Sequence, residues 1–130
     1  MLIRETILLL GGSGFLGKNI LDFVIKNDAI SNNYKFIVLS RNIVLNKIDS
    51  VIYETGDYAD KDLLKSLFFK WNFTKVFHCA TSTTPLSSNN NILDDINGNL
   101  IATIGLLDVM IDFGCNSIIY LSSGGAVYGE

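Results

Sequence analysis

The residues with the clearest chemical use lie near the start of the chain, where an apolar strand-like run breaks into glycines. The stretch Gly-Gly-Ser-Gly-Phe-Leu-Gly occupies residues 11–17. Gly11 suits a tight turn from strand to helix, Gly14 leaves space for a ligand to approach the main chain, and Gly17 lets the next helix lie close to the sheet. The N–H groups and dipole at the start of that helix attract anions. The spacing predicts a turn that binds a pyrophosphate, with a glycine turn of structural use alone as the alternative.

The residues after the turn favour the first interpretation. An apolar stripe with helical spacing follows it, formed by Leu16, Ile20, Phe23 and Val24. A strand before such glycines and an amphipathic helix after them are the context that a dinucleotide site requires.

The elements that must position this turn alternate along the chain. Apolar runs predict strands at residues 6–10, 35–39, 51–54, 75–79 and 117–121, and helical periodicity predicts helices at 14–27, 60–69 and 91–113, with at most a turn of helix at 43–48. This alternation is typical of an α/β fold with a doubly wound parallel sheet. Because crossovers are right-handed, we expect the strand order 3-2-1-4-5 in one Rossmann-type domain spanning residues 1–130.

Composition excludes several function classes. With 130 residues of which 48% are hydrophobic, the chain can bury a core. A net charge of −3 without clustered Lys and Arg argues against nucleic-acid binding. The first apolar run is too short to span a bilayer and leads directly into the glycine turn, so we expect no membrane segment, no signal peptide and a cytoplasmic location. Cys79 and Cys115 lack metal-ligand spacing and are expected to be small buried side chains, which predicts no metal site.

The end of the second predicted strand indicates which dinucleotide would bind. An acidic residue commonly receives the ribose hydroxyls of NAD there, but this chain has Ser40, Arg41 and Asn42. A guanidinium beside a hydroxyl suits a 2′-phosphate, which favours NADP over NAD. A solvated Arg41 is the alternative. Asp57, after the third strand, could accept the adenine amino group or serve as a turn residue or helix cap.

Further motifs fall in order along the chain: Gly56 with Asp57, Val76 to Ala80, Asn99 with Thr103, and the run from Ser122 to Gly129 that ends in Val-Tyr-Gly. With these motifs the chain resembles the N-terminal part of an extended short-chain dehydrogenase/reductase of the NAD-dependent epimerase/dehydratase family, most members of which act on nucleotide sugars. The resemblance implies that Cys79, Ala80 and Thr81 line the nicotinamide-side ribose and that Asn99 lies near the cofactor. It gives His78 a packing role only. The full predicted set of cofactor-binding residues is Gly11, Gly14, Phe15, Leu16, Gly17, Ser40, Arg41, Asn42, Asp57, Tyr58, Cys79, Ala80, Thr81, Asn99 and Ser122.

The sequence departs from the family at the catalytic residues. Family members use a serine or threonine with a Tyr-x-x-x-Lys pair, and no tyrosine among these 130 residues has a lysine four positions later. Gly124 stands where many relatives carry the catalytic hydroxyl. Ser123 is then the nearest catalytic candidate and Ser122 the second, unless both simply end strand five. Because the C-terminal substrate region of the family is also absent from this chain, we expect dinucleotide binding without turnover of a nucleotide sugar.

The helix predicted at 91–113 carries more apolar surface than one sheet contact needs. Its stripe consists of Leu93, Ile96, Leu100, Ile104, Leu107 and Met110. A deeply buried core helix is one explanation. In the family that the chain resembles, this helix contributes to a homodimer. A homodimer formed through residues 91–113 is therefore the second explanation. The alternative function is a non-catalytic nucleotide-binding or partner-binding module that uses this helix and the outer edge of strand five.

Overall fold

The computed structural model describes residues 4–81 and 90–122. Its elements are β1 (Glu5–Leu10), α1 (Phe15–Ile25), α2 (Asp28–Asn33), β2 (Tyr34–Ser40), β3 (Ile52–Thr55), α3 (Lys61–Trp71), β4 (Lys75–His78), α4 (Ile92–Asp95), a π-helical segment (Ile96–Ile101), α5 (Ala102–Asp112) and β5 (Ser117–Tyr120). The strands form one parallel sheet in the order β3-β2-β1-β4-β5. The predicted Rossmann-type topology is therefore confirmed.

Alternating side chains of the central strands build a core on each face of the sheet. Leu8 and Leu10 of β1 join the cluster that includes Leu106 of α5. Ile7 and Leu9 of the same strand join the cluster that includes Leu21 of α1. Because both faces are covered, the strands read as continuous apolar runs, and their carboxyl ends open together on one edge.

The first predicted helix is shorter than expected, and its buried stripe differs. α1 ends at Ile25, and the Asn27 side chain caps the separate helix α2 by accepting a hydrogen bond from the Ile30 N–H. The buried positions of α1 are Gly17, Leu21 and Val24. Leu16 and Phe23 are 52% and 63% exposed. Of the apolar stripe read from the sequence, Val24 is therefore buried, whereas Phe23 faces outward and Leu16, which is also a predicted cofactor-binding residue, is accessible.

The helix predicted at 91–113 is interrupted and only partly buried. A π-helical segment separates α4 from α5, and the buried face of α5 consists of Ala102, Leu106, Val109 and Met110. Of the predicted stripe, Met110 alone lies in the core, while Leu93, Ile96, Leu100, Ile104 and Leu107 are 38% to 71% exposed. The explanation by a deeply buried helix was therefore wrong. Within the two described stretches, no helix has the length and apolar character needed to cross a membrane.

Candidate functional site

The glycine turn between β1 and α1 has the backbone that its sequence predicts. Gly11 adopts φ +79°, and a Cβ there would lie 2.8 Å from the main-chain carbonyl of Cys79 in the neighbouring strand end. A Cβ on Gly17 would lie 2.3 Å from the Gly11 carbonyl oxygen. Gly12, to which the sequence pattern assigned no role, is also tightly packed, since its Cβ would lie 2.7 Å from the Val38 side chain. The turn therefore needs glycine at these positions to bring the start of α1 against the sheet edge.

The N-terminus of α1 has the features of an anion-binding site. Gly14 is the N-cap residue with extended backbone (φ −81°, ψ 179°), no side chain caps the helix, and its first turn holds no acidic residue. The Gly14 N–H donates to the Gly11 carbonyl at 3.0 Å, which closes the turn. The first N–H groups of an α-helix have no partner inside the helix. Together with the helix dipole, they make this end a suitable site for a phosphate.

A cleft of about 440 Å³ lies over the carboxyl ends of the strands, beside the start of α1. Twelve of the predicted residues line it: Gly11, Gly14, Phe15, Leu16, Ser40, Arg41, Asn42, Asp57, Tyr58, Cys79, Ala80 and Thr81. Gly17, Asn99 and Ser122 are not among the lining residues, and Ser123 and Gly124 lie outside the described residues. Residues from distant parts of the sequence thus meet at one edge, as expected for the crevice of a doubly wound sheet.

Five lining residues were missed by the sequence-based prediction: Leu10, Ser13, Leu39, Gly56 and Gly98. Leu10 and Leu39 end buried strands, so their apolar character gave no sign of a site. Gly56 had a signal, because it stands beside Asp57 in the family motif, and its φ of +155° puts a would-be Cβ 2.2 Å from Leu63. Gly98 carried no readable signal, since its position depends on the helix irregularity around it.

At one end of the cleft, the loops after β2 and β3 meet the glycine turn. Ser40 is a buried residue, and its hydroxyl oxygen lies 3.2 Å from that of Ser13. Arg41 and Asn42, which follow, are exposed. The Gly56 N–H donates to the Ser40 carbonyl at 2.9 Å, which ties the two loops together. This end therefore offers hydroxyls and one guanidinium within the same short wall.

Asp57 lies in this wall and also organises its own turn. Its Oδ1 accepts a hydrogen bond from the Ala59 N–H at 2.9 Å. The helix cap is a different residue, Asp60, whose carboxylate accepts from the N–H groups of Asp62 and Leu63. Of the roles open to Asp57 from sequence, the turn role is therefore observed and the cap role is wrong. Its second carboxylate oxygen, Oδ2, is the atom that could serve a ligand.

At the opposite end, the cleft is bounded by the residues after β4 and by the π-helical segment. Cys79 is partly buried, and burial raises the pKa of its thiol. The Thr81 hydroxyl donates to Asn99 Oδ1 at 3.4 Å, and Asn99 Nδ2 donates to Asp95 Oδ1 at 2.6 Å. Asn99 thus reaches the rim of the cleft through Thr81.

His78 lies beneath the cleft. It is 1% exposed, and burial lowers the pKa of its ring. Its Nε2 lies 3.1 Å from the Thr103 hydroxyl, and its ring makes edge contacts with Tyr58 at 5.0 Å and Tyr120 at 4.9 Å. His78 does not line the cleft. These contacts are those of a packed residue, as the sequence indicated.

Comparison with known proteins gives concordant matches over nearly the whole chain. The profile of the NAD dependent epimerase/dehydratase family matches residues 7–130. A putative UDP-glucose 4-epimerase of Methanocaldococcus jannaschii is 35% identical over 127 residues, covering 95% of this chain and 40% of that protein. A bifunctional UDP-glucose 4-epimerase and UDP-xylose 4-epimerase of Pisum sativum is 30% identical over 135 residues, covering 97% of this chain and 38% of that protein.

Solved structures give the same result. The UDP-glucose 4-epimerase of Thermotoga maritima, solved with UDP-glucose, matches with a TM-score of 0.84 and 29% identity, covering 97% of this chain and 40% of its own. The UDP-glucose 4-epimerase of Thermus thermophilus, in complex with NAD, matches with a TM-score of 0.83 and 25% identity over the same shares. The chain therefore spans about 40% of the length of these relatives.

Proposed function

The chain belongs to the NAD dependent epimerase/dehydratase family, and from that premise we propose that its cleft binds an NAD(P) dinucleotide. The pyrophosphate would lie at the start of α1, the adenosine beside Ser40, Arg41 and Asp57, and the nicotinamide half beside Ala80 and Thr81. The observation that carries this proposal is the α1 N-terminus, which has no side-chain cap and lines the cleft at Gly14. Its N–H groups and dipole supply what two bridged phosphates need.

We favour NADP over NAD at the adenosine ribose. The support is the combination of an exposed guanidinium at Arg41 with the Ser13 and Ser40 hydroxyls, all within the cleft wall. A 2′-phosphate accepts charge-assisted hydrogen bonds from such a group, and an acidic residue that would repel it is absent from positions 40–42. NAD is the competing cofactor, since the Thermus thermophilus relative was solved with NAD.

For the reaction, we propose a place in nucleotide-sugar chemistry. The support is the matched relatives, whose names describe epimerases of UDP-glucose and UDP-xylose. A bound nicotinamide supplies the acceptance and return of a hydride. The residues that line the cleft would hold the cofactor, and Ser123, with Ser122 as the second choice, is the proposed source of the catalytic hydroxyl. No Tyr-x-x-x-Lys pair occurs in these 130 residues, so they are expected to bind cofactor without proton transfer to a sugar.

The test is a titration of the purified 130-residue protein with NADPH and with NADH, followed by fluorescence or calorimetry. Saturable binding of either dinucleotide at a single site on each chain is the expected result. Absence of binding of both would overturn the proposal. An assay with UDP-glucose and added NAD, followed by product chromatography, is expected to give no rate above a blank. A measured rate would refute the expected lack of catalysis but would not contradict the proposed binding of the dinucleotide.

A second candidate function is partner binding through the exposed face of α5, with a second copy of the chain as the partner. The observation that favours it is the exposure of apolar side chains on consecutive turns of α5: Ile104 at 47%, Leu107 at 39% and Ile111 at 75%. An apolar stripe of this kind commonly marks an interface. Sedimentation over a range of concentrations tests it, and a monomer at every concentration would exclude it.

A further inference from the structure

The π-helical segment leaves one backbone carbonyl, in a residue that lines the cleft, without its α-helical donor. In an α-helix the Ala102 N–H would donate to the carbonyl four residues earlier, which belongs to Gly98. Here the Ala102 N–H donates to the carbonyls of Asn97 and Asn99 instead. Gly98 is also one of the residues that line the cleft. The wider helical turn therefore takes this donor away from the Gly98 oxygen.

A side chain from the other end of the cleft supplies a donor to that oxygen. The Tyr58 hydroxyl donates to the Gly98 carbonyl at 2.8 Å, across 40 positions of sequence. Tyr58 lies in the connection between β3 and α3, next to Asp57, and is 8% exposed. The loop at the adenosine end is thus joined directly to the segment that bounds the opposite wall.

The surroundings of Tyr58 hold its hydroxyl in this direction. Its ring contacts the buried His78 ring edge-on at 5.0 Å. His78 in turn is joined through Nε2 to the Thr103 hydroxyl at 3.1 Å, one residue beyond Ala102. A tyrosine hydroxyl is protonated at neutral pH and can donate, and burial raises the pKa of Tyr58 further. Both connections fasten the start of α5 and the π-helical segment to the strand ends.

We infer that Tyr58 is a positioning residue whose hydroxyl holds the π-helical segment in the register that sets the distance between the two ends of the cleft. This inference rests on the proposed dinucleotide binding. A dinucleotide must contact the adenosine-side loop and the wall near Thr81 and Gly98 together, whereas a mononucleotide needs only the first of these. Affinity for the dinucleotide therefore depends on the Tyr58 hydroxyl, and affinity for a mononucleotide does not.

The variant Tyr58→Phe removes this hydroxyl and keeps the ring. Tyr53→Phe is the matched control, because the Tyr53 hydroxyl accepts a hydrogen bond from the Ile48 N–H and does not line the cleft. The probes are NADPH, NADH and AMP. We expect Tyr58→Phe to weaken both dinucleotides by about fivefold, the scale of one net hydrogen bond, with AMP affinity unchanged. Tyr53→Phe should leave all three affinities unchanged.

Equal losses for AMP and the dinucleotides, or no loss for any of them, would overturn the inference. A measurement without ligand tests separately whether the Tyr58 hydroxyl holds the π-helical segment in place. Amide hydrogen exchange at residues 98–103 is expected to accelerate in Tyr58→Phe and to stay as in the unchanged protein in Tyr53→Phe; unaltered exchange in Tyr58→Phe would count against the positioning role. If the unchanged protein binds AMP but neither dinucleotide, the proposed function fails and this inference fails with it.

Discussion

The hydroxyl oxygens of Ser13 and Ser40 lie 3.2 Å apart, so the glycine turn and the end of β2 meet at one wall of the cleft. Ser40 is buried, while the next residue, Arg41, is exposed and lines the same wall. If NADP binds as proposed, the phosphate on its adenosine ribose would meet these two hydroxyls and the exposed Arg41 guanidinium.

Replacing Arg41 tests the preference for NADP. In Arg41→Ala we expect NADPH affinity to fall by about 1–3 kcal/mol, the scale of a lost hydrogen bond to a charged group, with NADH affinity little changed. Competitive titration of both cofactors gives the comparison. Lys47→Ala is the control, because Lys47 is an exposed cation in the same β2–β3 connection that does not line the cleft. Equal losses for the two cofactors in Arg41→Ala would refute the selectivity.

Two glycine substitutions are expected to have opposite effects on stability. Gly17→Ala places a Cβ 2.3 Å from the Gly11 carbonyl oxygen and 2.4 Å from Gly12 Cα. Because these are backbone atoms, we expect the free energy of unfolding to fall by about 1–3 kcal/mol. Gly105→Ala in α5 meets nothing within 4 Å, so it should raise the free energy of unfolding by about 0.5–1 kcal/mol. Urea unfolding of both variants measures this, and a Gly17→Ala protein as stable as the unchanged one would contradict the close packing of the turn.

The single histidine of the chain predicts a loss of stability in mild acid. Burial lowers the pKa of His78 below its usual 6.5 in the folded protein. Below about pH 6.5 the unfolded chain therefore binds a proton that the folded protein does not, and stability falls as the pH falls toward the folded pKa. The free energy of unfolding can change by at most about 1.4 kcal/mol per pH unit when one proton is bound. Urea unfolding between about pH 8 and 5, on either side of the usual histidine pKa, measures the slope.

His78→Phe is the matching variant for that experiment, because it keeps a ring between Tyr58 and Tyr120 and removes the titration. The slope in mild acid should largely disappear in this variant, whatever its absolute stability. An NMR titration of the unchanged protein that placed the His78 pKa at or above its usual 6.5 would contradict the prediction.

The exposed face of α5 predicts self-association. Ile104 and Ile111 lie two helical turns apart on this face and are 47% and 75% exposed. Their joint replacement, Ile104→Gln with Ile111→Gln, is expected to weaken a dimer by about tenfold or more through loss of buried apolar area. Phe69→Gln on α3 is the control, because Phe69 is 78% exposed on another helix. Equal effects of the two changes in sedimentation equilibrium would show non-specific association.

The sequence predicted the sheet and the glycine turn well because their signals are local. Gly11 and Gly17 are required by the backbone of the turn itself, and short apolar runs report strands buried on both faces. The exposure of Phe23 could not be predicted, because it depends on how α1 is rotated against the sheet. Asp57 and Asp60 are both suited to cap α3, and only the start of that helix at Lys61 distinguishes them.

By itself, then, the sequence determined the strand order, the glycine turn and most residues of the cleft wall, since these follow from backbone requirements and from topology rules for parallel sheets. The tertiary structure alone decided the π-helical segment, the hydrogen bond from Tyr58 to Gly98 and the outward face of α5. Each of these depends on contacts between residues far apart in the chain. These features are stabilised by the packing of helices against the sheet, and that packing leaves no signal in the local sequence pattern.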